Sequence, residues 1–178
     1  MILTGPPGAG KSTTARSLAA SFERSVHLHS DDFWHYIVSG AIPPYLPESH
    51  GQNEIVMEVL RNAAFAYAAG GYVTFVDGIV GPWMLHHFLS PGDLGNAPAM
   101  QYIVLRPSQE ETLRRAQSRG TQDALVNSGP VMSLWDQFSN LGEWERHAID
   151  TTSHSPADTV SAVQAAMNSA SYTLSASS

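Results

Sequence analysis

Four residues at fixed spacing carry the most chemistry in this chain: Gly5, Gly10, Lys11 and Ser12 satisfy G-x-x-x-x-G-K-[ST] within Gly5-Pro6-Pro7-Gly8-Ala9-Gly10-Lys11-Ser12. Each type has a task on a polyphosphate. The glycines let backbone N–H groups converge on a β-phosphate, Lys11 reaches the β/γ oxygens, and the Ser12 hydroxyl can ligate Mg²⁺. Thr13 follows at the start of the next element, so the nucleotide-binding set reads Gly5, Pro6, Pro7, Gly8, Ala9, Gly10, Lys11, Ser12 and Thr13. Lys11 is the only lysine among 178 residues, since the other eight basic residues are arginines. No second ammonium can replace it.

Phosphoryl transfer asks a protein for a phosphate cradle, a metal site, a group that orients the acceptor and a cation for the developing charge. Asp31 and Asp32 end an apolar alternating run, and Asp77 ends another, Tyr72-Val73-Thr74-Phe75-Val76, as an acid holding Mg²⁺ through water or binding the acceptor would. The plainer reading of Asp77-Gly78 is a turn. Arg115 and Arg119 stand at i, i+4, so both guanidinium forks can reach one polyphosphate, while Arg114 points elsewhere and Arg106 is a candidate by position only. Trp34, Tyr36 and Trp83 are candidates for an apolar acceptor pocket, although large aromatics more often sit in cores. His27 and His29 alternate along a strand and His86-His87 are adjacent. With no H-E-x-x-H or other three-ligand set, the sequence predicts no transition-metal site.

The elements that must position these groups alternate. Met1 to Thr4 reads as a strand, the loop follows, and Ala15, Leu18, Ala19 and Phe22 give one buried face of a helix over 12–22. Val26 to Ser30 is strand two, running into the acidic pair. Gly40, Pro43, Pro44 and Pro47 make residues 39–49 a loop over the site. Ile55, Val56, Val59, Leu60, Ala63, Ala64 and Tyr67 recur at helical spacing until Gly70-Gly71. Strand three leads to Asp77, and Met100 to Leu105 is strand four. Ser108 and Glu111 have the capping-box form ahead of a helix from about Gln109. Leu134, Trp135, Phe138 and Leu141 mark another amphipathic stretch, His147 to Asp150 a short strand five, and Ser155-Pro156-Ala157-Asp158 the start of a last helix. That helix carries Val160, Val163, Met167 and Ala170 on one face. Such alternation predicts a parallel sheet with right-handed crossovers and a ligand off the carboxyl ends of the strands, where the loop, Asp31, Asp32 and Asp77 fall.

Composition narrows the function classes. The chain is long enough for one domain with a core, expected over 1–170 with a helical lid at about 115–130 and a frayed polar tail over 171–178. A net charge of −7 leaves no basic face for nucleic acid or anionic lipid, so phosphate binding must be local. Cysteine is absent, which removes disulfides and thiolate chemistry. The chain opens directly into a strand and has no apolar run of membrane-spanning length, so the expectation is a cytoplasmic protein with no membrane partner.

On the loop Gly5 to Ser12, the strand ending His29-Ser30-Asp31-Asp32-Phe33, the run Leu113-Arg114-Arg115 to Arg119-Gly120 and the closing Glu145 to Thr152, the chain resembles the small P-loop kinases, in particular chloramphenicol phosphotransferase-like, gluconate, shikimate and nicotinamide riboside kinases. The resemblance implies a P-loop NTPase three-layer α/β/α sandwich with a five-stranded parallel sheet in the order 2-3-1-4-5. It also implies Mg-ATP as cosubstrate, Asp31 as the base for an acceptor hydroxyl, Arg115 and Arg119 as lid residues, and Thr152 to Pro156 beside adenine. Asp32 is then expected to face the other side of the strand, toward Mg²⁺ or a structural partner. No acceptor motif transfers with the fold.

The leading expectation is an ATP-dependent small-molecule kinase acting on a hydroxyl, with Asp31, Trp34, Tyr36, Asp77 and Trp83 on the acceptor side. Monomer and homodimer both stay open. A GTPase would need an N-K-x-D motif, which the single lysine excludes, and no L-S-G-G-Q-like signature marks a transport ATPase. A nucleotide-binding regulator or ATPase without phosphotransfer is the alternative.

Overall fold

The computed structural model describes residues 1–89, 100–118 and 127–174. Five strands, β1 (Ile2–Thr4), β2 (Ser25–His29), β3 (Val73–Gly78), β4 (Tyr102–Leu105) and β5 (Ala148–Ile149), form one parallel sheet in the order β2-β3-β1-β4-β5. The six α-helices among the described residues are α1 (Lys11–Ala19), α2 (Ser30–His35), α3 (His50–Ala69), α4 (Gln109–Gln117), α5 (Ser128–Ser139) and α6 (Pro156–Met167). This is the strand order expected for a P-loop kinase.

The three layers follow from strand alternation, because neighbouring residues face opposite sides of the sheet. Ile2, Val76, Tyr102 and Val104 pack on one face with Met57, Leu60 and Ala64 of α3 and Phe138 of α5. Leu3, Phe75, Ile103 and Leu105 pack on the other with Ala15 and Leu18 of α1 and Val163 and Ala166 of α6. Register is pinned on both sides, since a slip by one residue would turn every apolar side chain to the wrong layer.

Several local expectations shift. Helix α1 stops at Ala19, and Phe22 lies outside it, half exposed. In α3 the buried stripe is Val56, Met57, Leu60 and Ala64, which leaves Ile55, Val59 and Tyr67 exposed. The run after β2 is not an extended strand end: Ser30–His35 turns into helix α2, so Asp31 and Asp32 share its first turn rather than alternate. Ser108 accepts from the Glu111 N–H, but the Glu111 carboxylate turns to Arg114 and Arg115, which leaves half of the expected capping box. The Ser155–Asp158 box is complete. Of the expected tail, Thr173 pairs with Gln101 and the Leu174 N–H donates to Met100 O. No helix among the described residues is long and apolar enough to cross a membrane.

Candidate active site

The phosphate-binding loop owes its shape to three glycines with positive φ, Gly5 (140°), Gly8 (85°) and Gly10 (89°). Two of them also make close approaches: a Cβ on Gly5 would lie 2.1 Å from Leu105 O, and one on Gly8 would lie 2.7 Å from Thr112 O. Any larger residue at either position would push the loop off the sheet or off α4. Lys11 is nearly buried and its ammonium donates to Pro6 O at 3.0 Å, across the mouth of the loop. Helix α1 begins at Lys11 directly after this turn, so its unsatisfied N–H groups face whatever the loop holds.

Asp77 lies inside β3 and is fully buried, which removes the turn reading. Its Oδ2 accepts from Ser12 Oγ at 2.5 Å and its Oδ1 lies 2.5 Å from His27 Nε2, while His29 Nδ1 lies 3.2 Å from Oδ1. Parallel pairing explains the meeting, because the register sets His29 beside Asp77 and His27 two residues back on the same face. Burial alone would raise the Asp77 carboxyl, but the hydrogen bonds from His27, His29 and Ser12 outweigh it and hold the group well below the usual carboxylate range. The Ser12 hydroxyl spends its proton on Asp77 and keeps its lone pairs for a cation. Hard oxygen donors of this kind suit Mg²⁺.

His29 links the buried Asp77 to the surface. Its Nε2 lies 3.7 Å from Asp31 Oδ2, and the hydrogen bond to Asp77 raises its pKa above the ordinary value against the opposing pull of burial. Asp31 is largely exposed at the start of α2, with Ser30 Oγ 3.3 Å from its Oδ1. Ser30 is itself wedged against β3, where a Cβ on Gly78 would lie 1.7 Å from Ser30 Oγ. Close approach at Gly78 thus sets Asp31 just past the carboxyl end of the sheet. Asp32 is exposed on the same helical turn. The two histidines, given no role on sequence grounds, join the site through cross-strand register that spacing along the chain does not reveal.

A cleft of about 450 Å³ brings together Gly8, Ala9, Gly10, Thr13, Arg115, Thr152 and Pro156 from three separate parts of the chain. Arg115 is the clasp of its far wall: Nε donates to Glu111 at 2.5 Å, and Nη2 to the carbonyls of Thr151 (2.9 Å), Thr152 (3.2 Å) and His154 (3.2 Å). Its fork therefore shapes the loop after β5 as well as facing the cleft. Glu111, between Arg114 and Arg115, is held down to about 2 by those two hydrogen bonds. Arg119 lies outside the described residues, as does the middle half of the expected lid, residues 119–126. Arg106, the positional candidate, is engaged by Glu145 and by Phe138 O.

The expected acceptor aromatics separate. Trp34 packs partly against the core and donates Nε1–H to Asn53 Oδ1 at 2.8 Å. Tyr36 is mostly exposed, edge-on to Phe33. Trp83 covers Gly81 and tilts against Phe138.

Residues 1–150 match the AAA domain family. A guanylate kinase of Ruegeria pomeroyi is 27% identical over 168 residues, which cover 82% of this chain and 74% of that protein. The tunicamycin resistance protein of Deinococcus radiodurans has a similar structure (TM-score 0.67, 17% identity, 93% of this chain and 94% of that one). So has the shikimate kinase of Acinetobacter baumannii, solved with shikimate (TM-score 0.62, 20% identity, 94% and 91%). Against a chain of the Pnkp1/Rnl/Hen1 RNA repair complex the TM-score is 0.57 at 20% identity, and there 76% of this chain spans only 42% of the larger one. The structural likenesses speak to fold, and they agree with the five-stranded parallel sheet and its order. The chain belongs to the AAA domain family, with the fold of the P-loop kinases.

Proposed function

We propose that this protein is an ATP-dependent small-molecule kinase that transfers the γ-phosphoryl group of Mg-ATP to an acceptor hydroxyl placed by Asp31. The observation that carries the reading is the run Ser12, Asp77, His29, Asp31, which leads from the phosphate loop to an exposed carboxylate through contacts of 2.5, 3.2 and 3.7 Å. The loop amides and Lys11 would hold the β- and γ-phosphates, Ser12 would ligate Mg²⁺ with Asp77 behind it orienting the hydroxyl and acting on the ion only through water, Asp32 would be a further oxygen donor, and Arg115, Thr152 and Pro156 would line the base side. Mg²⁺, when bound, neutralises phosphate charge. Asp31 accepts the hydrogen bond of the acceptor hydroxyl and takes its proton late, as the new O–P bond forms and the bond to the ADP leaving oxygen breaks. Arg115, and Arg119 with it, stabilise the charge that builds on the transferred group.

A phosphate acceptor is the second reading, supported by the similarity to the Ruegeria pomeroyi guanylate kinase. The pair Asp31-Asp32 favours the hydroxyl, because two carboxylates at the start of α2 repel an incoming phosphate and welcome an O–H donor. A coupled ADP-release screen separates the two. Sugars, shikimate-like acids, nucleosides, and aminoglycoside and phenicol alcohols form one panel, and nucleoside monophosphates the other, with product type read by phosphorus NMR. A phosphate monoester supports the proposal, an anhydride supports the second reading, and ADP release independent of any acceptor overturns both.

A further inference from the structure

A second histidine and carboxylate cluster lies apart from the phosphate loop. Glu54 projects from α3, and His86 and His87 end the 3₁₀ turn Pro82–His87 that follows β3. One ligand atom from each of the three lies within 4.8 Å of the others. His86 Nε2 is 3.5 Å from Glu54 Oε2, and His87 Nε2 is 3.5 Å from Glu54 Oε1. Sequence reasoning excluded a three-ligand set because Glu54 and the histidine pair are 32 residues apart at the nearest, and only the packing of α3 on this turn unites them.

We propose that Glu54, His86 and His87 form a binding site for a divalent transition-metal ion of the zinc class. The protonation pattern supports it. His86 Nδ1 lies 3.0 Å from Trp83 O, and since a carbonyl can only accept, Nδ1 carries the proton. His86 Nε2 then faces a carboxylate oxygen 3.5 Å away, a contact that a proton on Nε2 or a metal ion between the two would satisfy. A histidine that donates one ring N–H to a backbone carbonyl and aims the other nitrogen at a carboxylate has the arrangement metal-ligating histidines use. His87 Nε2 is buried and has no hydrogen-bond partner, although its side chain retains 11% exposure. The rings of His86 and His87 lie with centroids 4.1 Å apart and planes tilted by 36°, so protonating both to satisfy Glu54 would set two like charges side by side.

Dimensions select the ion. Ligand bonds of about 2.0–2.1 Å at tetrahedral angles place neighbouring donors about 3.4 Å apart, which each imidazole meets against one Glu54 oxygen at 3.5 Å, with the set as a whole inside 4.8 Å. A rigid octahedral Mg²⁺ shell brings donors to about 2.9 Å and prefers oxygen throughout, so two imidazoles argue against it. Three protein ligands leave the fourth position for water or for an oxygen of a small molecule, and His50, one turn before Glu54 on the same face of α3, already adds to the field at that carboxylate.

The test is titration of EDTA-stripped protein with Co²⁺, read by the visible absorption of four- or five-coordinate cobalt, followed by displacement with Zn²⁺ and by calorimetry. One equivalent with a strong tetrahedral-type spectrum is expected. His86→Ala, a change at a mostly exposed side chain that leaves the fold intact by circular dichroism, should weaken binding at least tenfold, and Glu54→Gln should do the same. His27→Ala, in the other cluster, should retain it. Wild-type protein with no strongly absorbing cobalt, equal binding in His86→Ala and wild type, or loss of the equivalent in His27→Ala instead would each overturn the assignment.

Discussion

Two clusters in this protein set a pair of histidines against one carboxylate, and they differ in what fills the space between. Around Asp77 the contacts are as short as 2.5 Å and the carboxylate is fully buried, so protons from Ser12, His27 and His29 occupy its oxygens. Around Glu54 the nearest contacts are 3.5 Å and the carboxylate is 43% exposed, with an imidazole nitrogen directed at each oxygen. Two imidazoles and a carboxylate thus make a preset acceptor in one place and an open ligand set in the other. Burial decides which, because a carboxylate removed from water must be supplied with donors by the fold, whereas a half-exposed one can wait for a cation.

If the first cluster belongs to the phosphate machinery and the second does not, substitutions should divide accordingly. The largest effect is expected from Lys11→Ala, which removes the ammonium lying across the loop. Transfer to the identified acceptor should fall by at least about 10²–10³-fold, the scale for losing one preorganised charge donor, with the circular dichroism spectrum unchanged. Equal turnover would end the assignment of this loop to phosphoryl transfer. His86→Ala and Glu54→Gln, assayed in the same way in chelator, should stay within a few-fold of wild type.

Next in size is Asp31→Asn, which preserves shape and removes charge. Nucleotide binding should hold within a few-fold while transfer drops about a hundredfold, the usual share of a general base. Asp32→Asn on the same turn of α2 is the control. Should that variant lose transfer and Asp31→Asn keep it, the role moves by one residue. If neither slows the reaction, the run from Asp77 through His29 ends at a surface carboxylate without catalytic purpose.

A stability measurement sharpens the contrast further. His27→Ala leaves a buried carboxylate short of one donor, which costs about 2–3 kcal/mol on the scale of hydrogen bonds to charged groups. His86→Ala, at a side chain 60% exposed, should change stability by no more than about 0.5 kcal/mol in chelator. Urea unfolding of both variants checks this. Equal destabilisation would mean that the two clusters are held in the same way after all.

What could be read from the chain was what is local along it. The phosphate loop is eight consecutive residues, the alternation of strands and helices follows from hydrophobic periods, the strand order comes with the resemblance to P-loop kinases, and the Ser155–Asp158 cap spans four. Contacts set by register between distant segments left no such trace: His27 and His29 reach Asp77 only because β2 pairs with β3 in one particular alignment, and Glu54 meets His86 only through helix packing. Competition between neighbours also escaped notice. Glu111 fits a capping box, yet two arginines within four residues offer its carboxylate stronger, charge-assisted bonds. Helix α2 replaced the expected strand end because Ser30, Asp31 and Asp32 favour a first helical turn, where acidic side chains meet the positive end of the helix.

A third histidine gives the smallest effect and the uncharged limit of the comparison. His147 is fully buried with no carboxylate among the described residues beside it: Nδ1–H donates to Tyr102 O at 2.8 Å, and Nε2 accepts from Arg146 Nε at 3.3 Å. Burial lowers its pKa, with the Arg146 charge acting in the same direction against the hydrogen bond to Tyr102 O. The folded state therefore keeps His147 neutral where the unfolded chain, with a histidine pKa near ~6.5, already binds a proton. Stability from this group is whole above that pH and is lost as pH falls from about 6.5 toward the depressed folded value, at no more than about 1.4 kcal/mol per pH unit for one proton. His147→Gln removes the titration, so the acid limb of a stability–pH curve should be shallower in the variant than in wild type, whatever the change in absolute stability. Parallel curves would show that His147 takes up its proton without leaving the core, and that burial alone does not set the state of a histidine in this fold.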